Sequence, residues 1–416
     1  MTTRTATKRL DLDGIAGLRV NPDWAKLPLF DRSKWRRVRF GDVVENLNET
    51  CDPDEAGLER FIAMEHLEPG SLHIRTWGNV ADGTTFTRLC RPGQVLFGKR
   101  RAYQRKVAIA DFDAVVSGDI YVFAPKNERM LPELLPFICI SERFFKFAVE
   151  TSAGSLSPRT NWSHLADFEF DLPPLDQQRR IIEILWAVDE TEMACSRLRD
   201  ESWSCLSALL DESIAPRTQH KRCLGEVFTV KHGWAFQGEF FNDSGDGPTL
   251  LTPGNFSLHG ELCFTDKNTK FYSGDFPEEY VLSRGDIVTV MTDLTPDAKL
   301  LGMPATIEGN RRLLHNQRIG KMLFNLEQLE PRFAYFLLLS DCVRQQIRRT
   351  ASGSTVRHTS PNRILEVVAN IPPRSQQISL SKSFDSARNA YKSCVGSKDR
   401  VNLLAASLGE ALLGKY

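Results

Sequence analysis

Apolar residues with helical spacing follow a double proline at two places in the chain. Residues 172–182 read LPPLDQQRRII and residues 371–378 read IPPRSQQI, and the two stretches keep one register, 199 positions apart. Proline disfavours helix in the residue before it, whereas Asp176 and Ser375 are residue types that cap helices. The pattern therefore predicts that a globular segment ends, and a long helix begins, at each double proline.

Both predicted helices carry a seam of apolar residues that is too long for one small domain to cover. The first helix runs from about residue 177 to 213, and the second begins near residue 376. In the second helix the seam positions alternate four and three residues apart, a heptad pattern that is interrupted at Lys398. A helix of nearly 40 residues is about 60 Å long, so we expect each helix to bury its seam against the other. The predicted contact residues are Ile181, Leu185 and Val188 in the first helix and Leu380, Phe384, Ala387, Tyr391, Val401 and Leu408 in the second.

Short strand-forming stretches precede each helix. The predicted strands are residues 38–44, 91–98, 114–123 and 284–290. The predicted shorter helices are residues 131–149, whose aromatic side chains we expect in the core, and residues 331–347. Gly118 is interpreted as a β-bulge within its strand.

A polar loop keeps the same register, as TSAGS at residues 151–155 and TASGS at residues 350–354. Because register, loop, prolines and helices all recur, we predict an α+β protein built from two tandem copies of one unit. The predicted divisions are a lead-in at 1–34, a first domain at 35–175 with its helix at 176–215, and a second domain at 220–373 with its helix at 374–416.

Composition limits the class of protein. The chain has 416 residues, of which 41% are hydrophobic, and it holds no run of about 18 apolar residues that would span a membrane. The first ten residues are polar and basic, unlike a secretory signal. The nine cysteines are scattered without C-x-x-C pairs, which favours reduced thiols over disulfides or a metal site. We therefore expect a cytoplasmic protein that binds no metal.

Charge is informative through its distribution, not its sum. The 53 basic and 53 acidic residues cancel, so the whole chain lacks the basic balance that is typical of nucleic-acid binders. Residues 99–106, however, read KRRAYQRK and contain five cations and no acid. The first long helix is rich in acidic residues by comparison.

Two domains that each end in a double proline, a glutamine pair and a long helix resemble the specificity subunit of Type I restriction–modification systems. The resemblance extends from about Trp35 to the C-terminus. It implies that each domain is a target recognition domain for one half of a bipartite double-stranded DNA sequence, and that the two helices pack as an antiparallel coiled coil. It also implies two methyltransferase subunits and motor-nuclease subunits as partners. S-adenosylmethionine, ATP and Mg²⁺ are then expected on those partners and not on this chain.

DNA contacts are expected from cations, amides and hydroxyls on loops, because phosphate contacts position a protein and base-edge contacts specify the sequence. The candidates in the first domain are Lys99, Arg100, Arg101, Tyr103, Arg105, Lys106, Ser155, Arg159, Thr160 and Asn161. The candidates in the second domain are Asn255, Arg311, Arg312, Asn316, Gln317, Arg318, Ser354, Arg357 and His358. A charged, solvated loop or a plain turn into the double proline would explain the same residues without DNA.

Other functions are weighed against this interpretation. Residues 171–174 resemble the Asp-Pro-Pro motif of amino-methyltransferases in the wrong order, and residues 295–299 lack the second carboxylate of a nuclease core. No phosphate-binding G-x-x-x-x-G-K-[ST] loop occurs. We therefore predict no catalytic residues. A reader of the same fold that serves a different defence effector, and a stand-alone nuclease or methyltransferase, remain as alternatives.

Overall fold

A computed structural model describes residues 31–216 and 219–413, with only the backbone described from residue 410 onwards. The predicted lead-in, apart from residues 31–34, lies outside the described residues. Among those described, no helix is both long enough and apolar enough to cross a membrane.

The first copy of the repeat alternates short strands with helices and ends in a helix of 40 residues. Its strands are β1 (Arg36–Arg39), β2 (Val44–Leu47), β3 (Arg60–Ile62), β4 (Gly78–Asn79), β5 (Arg88–Cys90), β6 (Val95–Gly98), β7 (Val107–Ile109), β8 (Ala114–Val116), β9 (Ile120–Pro125) and β10 (Glu169–Leu172). Its helices are α1 (Phe40–Val43), α2 (Leu135–Ile140), α3 (Glu142–Glu150), α4 (Trp162–Ala166) and α5 (Leu175–Ile214).

The second copy has the same plan. Its strands are β11 (Lys221–Cys223), β12 (Phe228–His232), β13 (Phe241–Asn242), β14 (Thr249–Leu251), β15 (Lys270–Tyr272), β16 (Val281–Leu282), β17 (Ile287–Val290), β18 (Thr292–Asp293), β19 (Pro304–Thr306), β20 (Leu313–His315), β21 (Ile319–Phe324), β22 (Arg357–His358) and β23 (Val368–Asn370). Its helices are α6 (Pro331–Leu339), α7 (Asp341–Arg349), α8 (Pro361–Leu365) and α9 (Arg374–Leu413). The pairs β9/β21, α3/α7, α4/α8 and α5/α9 keep the 199-residue register at both ends, which confirms the predicted repeat and the α+β fold.

Each domain is built around two sheets. In the first domain these are β2-β9-β6-β7 and β4-β3-β8-β5, and in the second they are β12-β21-β17-β19 and β13-β15-β14-β20-β16. Alternate side chains of a strand point to opposite faces, and β6 is apolar on both: Phe97 packs in a core with α2, α3 and the start of α5, whereas Leu96 packs in a second core with β3 and β8. The first domain is thus layered as helices, sheet and sheet.

Several predicted elements differ in the structure. The predicted helix at 331–347 breaks at Ser340, between α6 and α7, and the predicted strand at 114–123 is divided into β8 and β9. The predicted strand at 38–44 is interrupted by α1, a single turn that lets Phe40 and Val43 both be fully buried. The predicted helix at 131–149 breaks at Ser141, whose Oγ accepts the Phe144 N–H at 3.3 Å and caps α3. Because α5 and α9 begin at Leu175 and Arg374, the residues predicted as caps lie inside the first turn of each helix instead.

The long helices pack together within each of the two compact units of the chain. Of the described residues, the first unit comprises 31–195 with 396–413, and the second comprises 196–216 with 219–395. In the first unit, Leu408 of α9 packs against the core that contains Ile181 and Leu185 of α5. In the second unit, the rings of Trp203 on α5 and Tyr391 on α9 lie 5.1 Å apart. The start of one helix therefore pairs with the end of the other, which confirms the predicted antiparallel helix pair.

The second glutamine of each repeated pair explains why the motif recurs. Gln178 is fully buried; its Nε2 donates to the carbonyls of Arg129 and Pro173, both at 2.8 Å, and its Oε1 accepts the Leu131 N–H at 2.9 Å. Gln377 makes the same three bonds to the equivalent groups in the second domain, at 2.7–2.9 Å. One side chain thus fastens the start of the long helix to its own domain.

Replacing Gln377 with leucine is expected to lower the free energy of unfolding by about 2–4 kcal/mol, because it removes three hydrogen bonds that contribute roughly 0.5–1.5 kcal/mol each. Urea denaturation of the purified chain measures the change. The matched control is Gln376→Leu, since Gln376 is exposed and should change stability by less than about 0.5 kcal/mol. Equal effects at both positions would contradict the assigned role.

Candidate nucleic-acid interface

Three segments that are distant in sequence meet in the first domain. The N–H of Lys99 donates to the carbonyl of Asp119 at 2.9 Å, and the Lys99 carbonyl accepts the N–H of Thr160 at 3.0 Å. Arg100 and Arg159 face each other across an isolated antiparallel bridge. We name this arrangement of residues 99–101, 117–119 and 157–160 the first junction. It joins the two predicted DNA-binding clusters of this domain.

Three cations of the first junction, Lys99, Arg100 and Arg159, lie around one carboxylate. Asp119 accepts from Nε of Arg159 at 2.9 Å and from Nη1 of Arg100 at 3.5 Å. Burial alone would raise the pKa of Asp119, but the hydrogen bond and charge of Arg159, together with the charges of Arg100 and Lys99, lower it below its ordinary value. Nε of Arg100 and Nε of Arg101 also donate to Ser157 Oγ, at 2.9 and 3.2 Å. Asp119 and Ser157 therefore fix the positions of the arginines.

The basic run at 99–106 divides into two parts. Arg101 and Arg105 both have left-handed backbones, with φ of 53° and 58°, on either side of a single 3₁₀ turn that exposes Tyr103. After this turn the side chains bind their own domain, since Arg105 pairs with Glu142 at 2.5 Å and Lys106 donates to the Met64 carbonyl at 2.6 Å.

The second cluster of the first domain is partly inside the protein. Ser155 and Asn161 are exposed, whereas Thr160 is fully buried. Its main chain holds the junction together through Lys99, and its carbonyl accepts from the Tyr121 hydroxyl at 3.2 Å. Thr160 is therefore placed to support the surface, with its side chain inside the domain.

The second domain contains the same arrangement, which we name the second junction (residues 291–293, 316–318 and 356–359). The Met291 N–H donates to the Arg318 carbonyl at 2.8 Å, and the Met291 carbonyl accepts the Thr359 N–H at 2.9 Å. Thr292 pairs with His358 between β18 and β22, and Thr292 Oγ1 lies 3.1 Å from His358 Nδ1. Arg318 is exposed, and Arg357 is half-buried with one nitrogen donating to the Arg348 carbonyl at 3.3 Å.

Two candidates at the junction are held by the turn that follows β20. Asn316 is buried, and its Oδ1 accepts the N–H of Arg318 at 3.0 Å. Gln317 is half-buried, and its N–H donates to the Trp234 carbonyl at 2.9 Å. His315 closes the turn by donating from Nε2 to the Ile319 carbonyl at 2.9 Å, and burial lowers its pKa to about 4.

The remaining candidates of the second domain lie elsewhere. Ser354 is exposed on its loop. Arg311 lies 4.4 Å above the Phe264 ring, and Arg312 pairs with Glu278. Both arginines precede β20, so they lie at the opposite end of that strand from the second junction. Asn255 is fully buried, and its side chain binds Thr252 and Asn268 within the domain.

Several residues at or beside the junctions were absent from the sequence-based candidates, among them Asp119 and Ser157 of the first junction, Thr292 of the second, and Trp234 beside the second. Trp234 is 41% exposed, and its backbone exchanges hydrogen bonds with His315 and Gln317. The sequence feature that marks the position of Trp234 is the preceding Gly233. A Cβ at residue 233 would lie 2.0 Å from the Asn316 carbonyl oxygen. Such a close approach of two backbones requires glycine.

The fold and the two junctions together define a tandem-repeat protein. Its repeating unit is an α+β domain with a polar junction, followed by a long helix. Residues 33–198 match the family model described as the Type I restriction modification DNA specificity domain. The chain is 26% identical to the EcoDI specificity subunit of Escherichia coli over 38% of its length and 36% of that subunit. It is 20% identical to the MjaVIII specificity subunit of Methanocaldococcus jannaschii over 90% of its length and 88% of that subunit.

Solved structures extend the similarity of fold to both copies. A chain from a type I R-M system, described in terms of complex assembly and conformational transition, is 17% identical, covers 92% of this chain and 98% of its own length, and gives a TM-score of 0.56. The type I S subunit of M. genitalium is 13% identical, covers 92% and 97%, and gives a TM-score of 0.53. These comparisons confirm the predicted resemblance to the specificity subunits of Type I restriction–modification systems.

Proposed function

We propose that this chain is the non-catalytic DNA-recognition subunit of a Type I restriction–modification complex. In this proposal, each domain reads one half of a bipartite double-stranded target. The observation that carries the proposal is that the same backbone scaffold is built twice, with different side chains on it. The first junction has Arg100 and Arg159 where the second has the buried Thr292 and the exposed His358. A constant scaffold with exchanged side chains suits the reading of two different half-sites.

The chemistry of the junctions supports DNA as the ligand. Lys99, Arg100, Arg101 and Arg159 outnumber the carboxylate between them, so the first junction attracts phosphate despite the neutral charge of the chain. Exposed amide and aromatic side chains, Asn161 and Tyr103, lie on the neighbouring segments. Amides hydrogen-bond base edges, and aromatic rings pack against nucleic acid.

The proposed partners follow from the family. We expect two methyltransferase subunits to dock on the helices and the adjacent domains, with motor-nuclease subunits joining the larger complex. S-adenosylmethionine, ATP and Mg²⁺ would bind to those subunits. Two domains that each bind a half-site weakly bind more tightly when they are linked in one chain. Binding of the first domain raises the effective concentration of the second domain at its own half-site.

Co-expression with a methyltransferase subunit encoded beside this chain, followed by sequencing of the host DNA for methylated bases, tests the proposal. We expect one bipartite motif with a fixed gap. A stable complex that methylates no defined motif would contradict the proposal, and it would favour a reader that serves another effector.

A further inference from the structure

Asp119 and Arg318 occupy the same place in the two domains, 199 positions apart. Each is the last residue of the turn that leaves one sheet, through β8 or β20, and enters the other, through β9 or β21. The carbonyl of Asp119 accepts from Lys99 at 2.9 Å, and the carbonyl of Arg318 accepts from Met291 at 2.8 Å. Both residues therefore lie at the centre of their junctions.

The turns themselves are built alike. The N–H of Asp119 donates to Ser117 Oγ at 3.2 Å, and the N–H of Arg318 donates to Asn316 Oδ1 at 3.0 Å. In both turns a polar side chain two residues earlier thus fixes the backbone at the central position. What differs between the domains is the side chain that this fixed backbone presents.

The two side chains have opposite hydrogen-bonding chemistry. An ionised carboxylate only accepts hydrogen bonds, and a guanidinium group only donates them. In the major groove, cytosine presents a donor, its N4 amino group, whereas guanine presents two acceptors, O6 and N7. Asp and Arg are accordingly the side chains that suit cytosine and guanine, respectively.

The carboxylate of Asp119 keeps acceptor capacity after its contacts within the protein. Its two oxygens offer about four acceptor positions, and only the bond from Arg159 Nε is short, at 2.9 Å; the contacts of Oδ2 with Arg100 and Arg159 are 3.5 Å long. The side chain is 19% exposed. Oδ2 can therefore accept a further hydrogen bond while the arginines hold the carboxylate in place.

We propose that Asp119 and Arg318 are specificity-determining residues at equivalent positions of the two readers, with Asp119 accepting from a cytosine amino group and Arg318 donating to a guanine. This inference rests on the proposed function. It predicts that one base position in each half of the target depends on one side chain. A good base contact discriminates by about five-fold to 150-fold against the wrong base.

The test compares methylation motifs produced by complexes that contain the wild-type chain, Asp119→Asn or Arg318→Gln. Asparagine and glutamine both suit adenine. We expect Asp119→Asn to shift one position of one half-site from cytosine to adenine by at least about five-fold, and Arg318→Gln to shift one position of the other half-site from guanine to adenine. The control is Asp111→Asn, an exposed aspartate of the first domain, which should leave the motif unchanged.

Arg318 is exposed, so its variant tests the inference even if Asp119→Asn does not fold. Weaker binding with an unchanged motif in both variants would overturn the inference, and would make Asp119 a positioning residue for Arg100 and Arg159. A wild-type complex without any motif would instead overturn the proposed function, and the inference with it.

Discussion

Replacing Lys99, Arg100 and Arg101 together with alanine is expected to weaken DNA binding and to flatten its dependence on salt. Each neutralised phosphate contributes a slope of about −0.9 to the logarithm of the binding constant against the logarithm of salt concentration. If all three cations contact phosphates, the slope becomes less negative by about 2.7. The affinity lost between about 50 and 200 mM salt would then shrink by a factor of roughly 40. Titrating the assembled complex with duplex DNA at several salt concentrations measures the slope.

A control with the same change of net charge separates a local contact from a general electrostatic effect. Arg36, Arg129 and Lys146 are exposed cations of the same domain outside the first junction. Replacing all three with alanine should change the slope by less than about 0.9, the contribution of one phosphate contact. If the two triple variants gave the same slope, residues 99–101 would have to be removed from the DNA interface.

The helices and the repeat were predictable because their signals are local. A double proline, a buried glutamine and periodic apolar residues act within a few turns of chain, so α5 and α9 begin within two residues of the predicted positions. Gln178 and Gln377 recur because each satisfies three backbone groups of its own domain. That requirement does not depend on the DNA sequence that a domain reads.

The junctions were only half predictable because they are assembled from distant segments. Residues 99–101 were conspicuous as a run of charge, but Asp119 looked like one polar residue within a predicted strand. The prediction of a bulge at Gly118 is wrong, since β8 and β9 belong to different sheets and the intervening residues form the turn between them. No periodicity within the strands marks the point where a chain changes sheets. Asp119 therefore acquires its importance from tertiary structure alone.

The apolar seam of α9 shows a related limit of prediction from the sequence. Its heptad spacing predicts a surface for the other helix, because a small domain cannot cover so long a seam. The start of the seam packs on its own domain as well: the Phe384 ring lies 5.2 Å from Phe336 and 6.4 Å from Phe333, both on α6. Leu206 and Leu210 of α5 belong to the same core. One apolar pattern thus joins the helix to its domain and to the other helix at once.

Phe384→Ala is accordingly expected to lower the free energy of unfolding by about 3–5 kcal/mol, the usual cost of removing a buried phenyl ring from a core. Phe384 is fully buried, so the cavity would open among α5, α6 and α9 together, and the helix pair would loosen along with the second domain. Urea denaturation followed by circular dichroism measures the loss, and assembly with the proposed methyltransferase subunits should weaken in parallel. Ile378→Ala on the same helix is the matched control, because Ile378 is 37% exposed and should cost far less. A stable Phe384→Ala variant that still assembles normally would mean that the domain and the helix pair are held together by contacts other than this core.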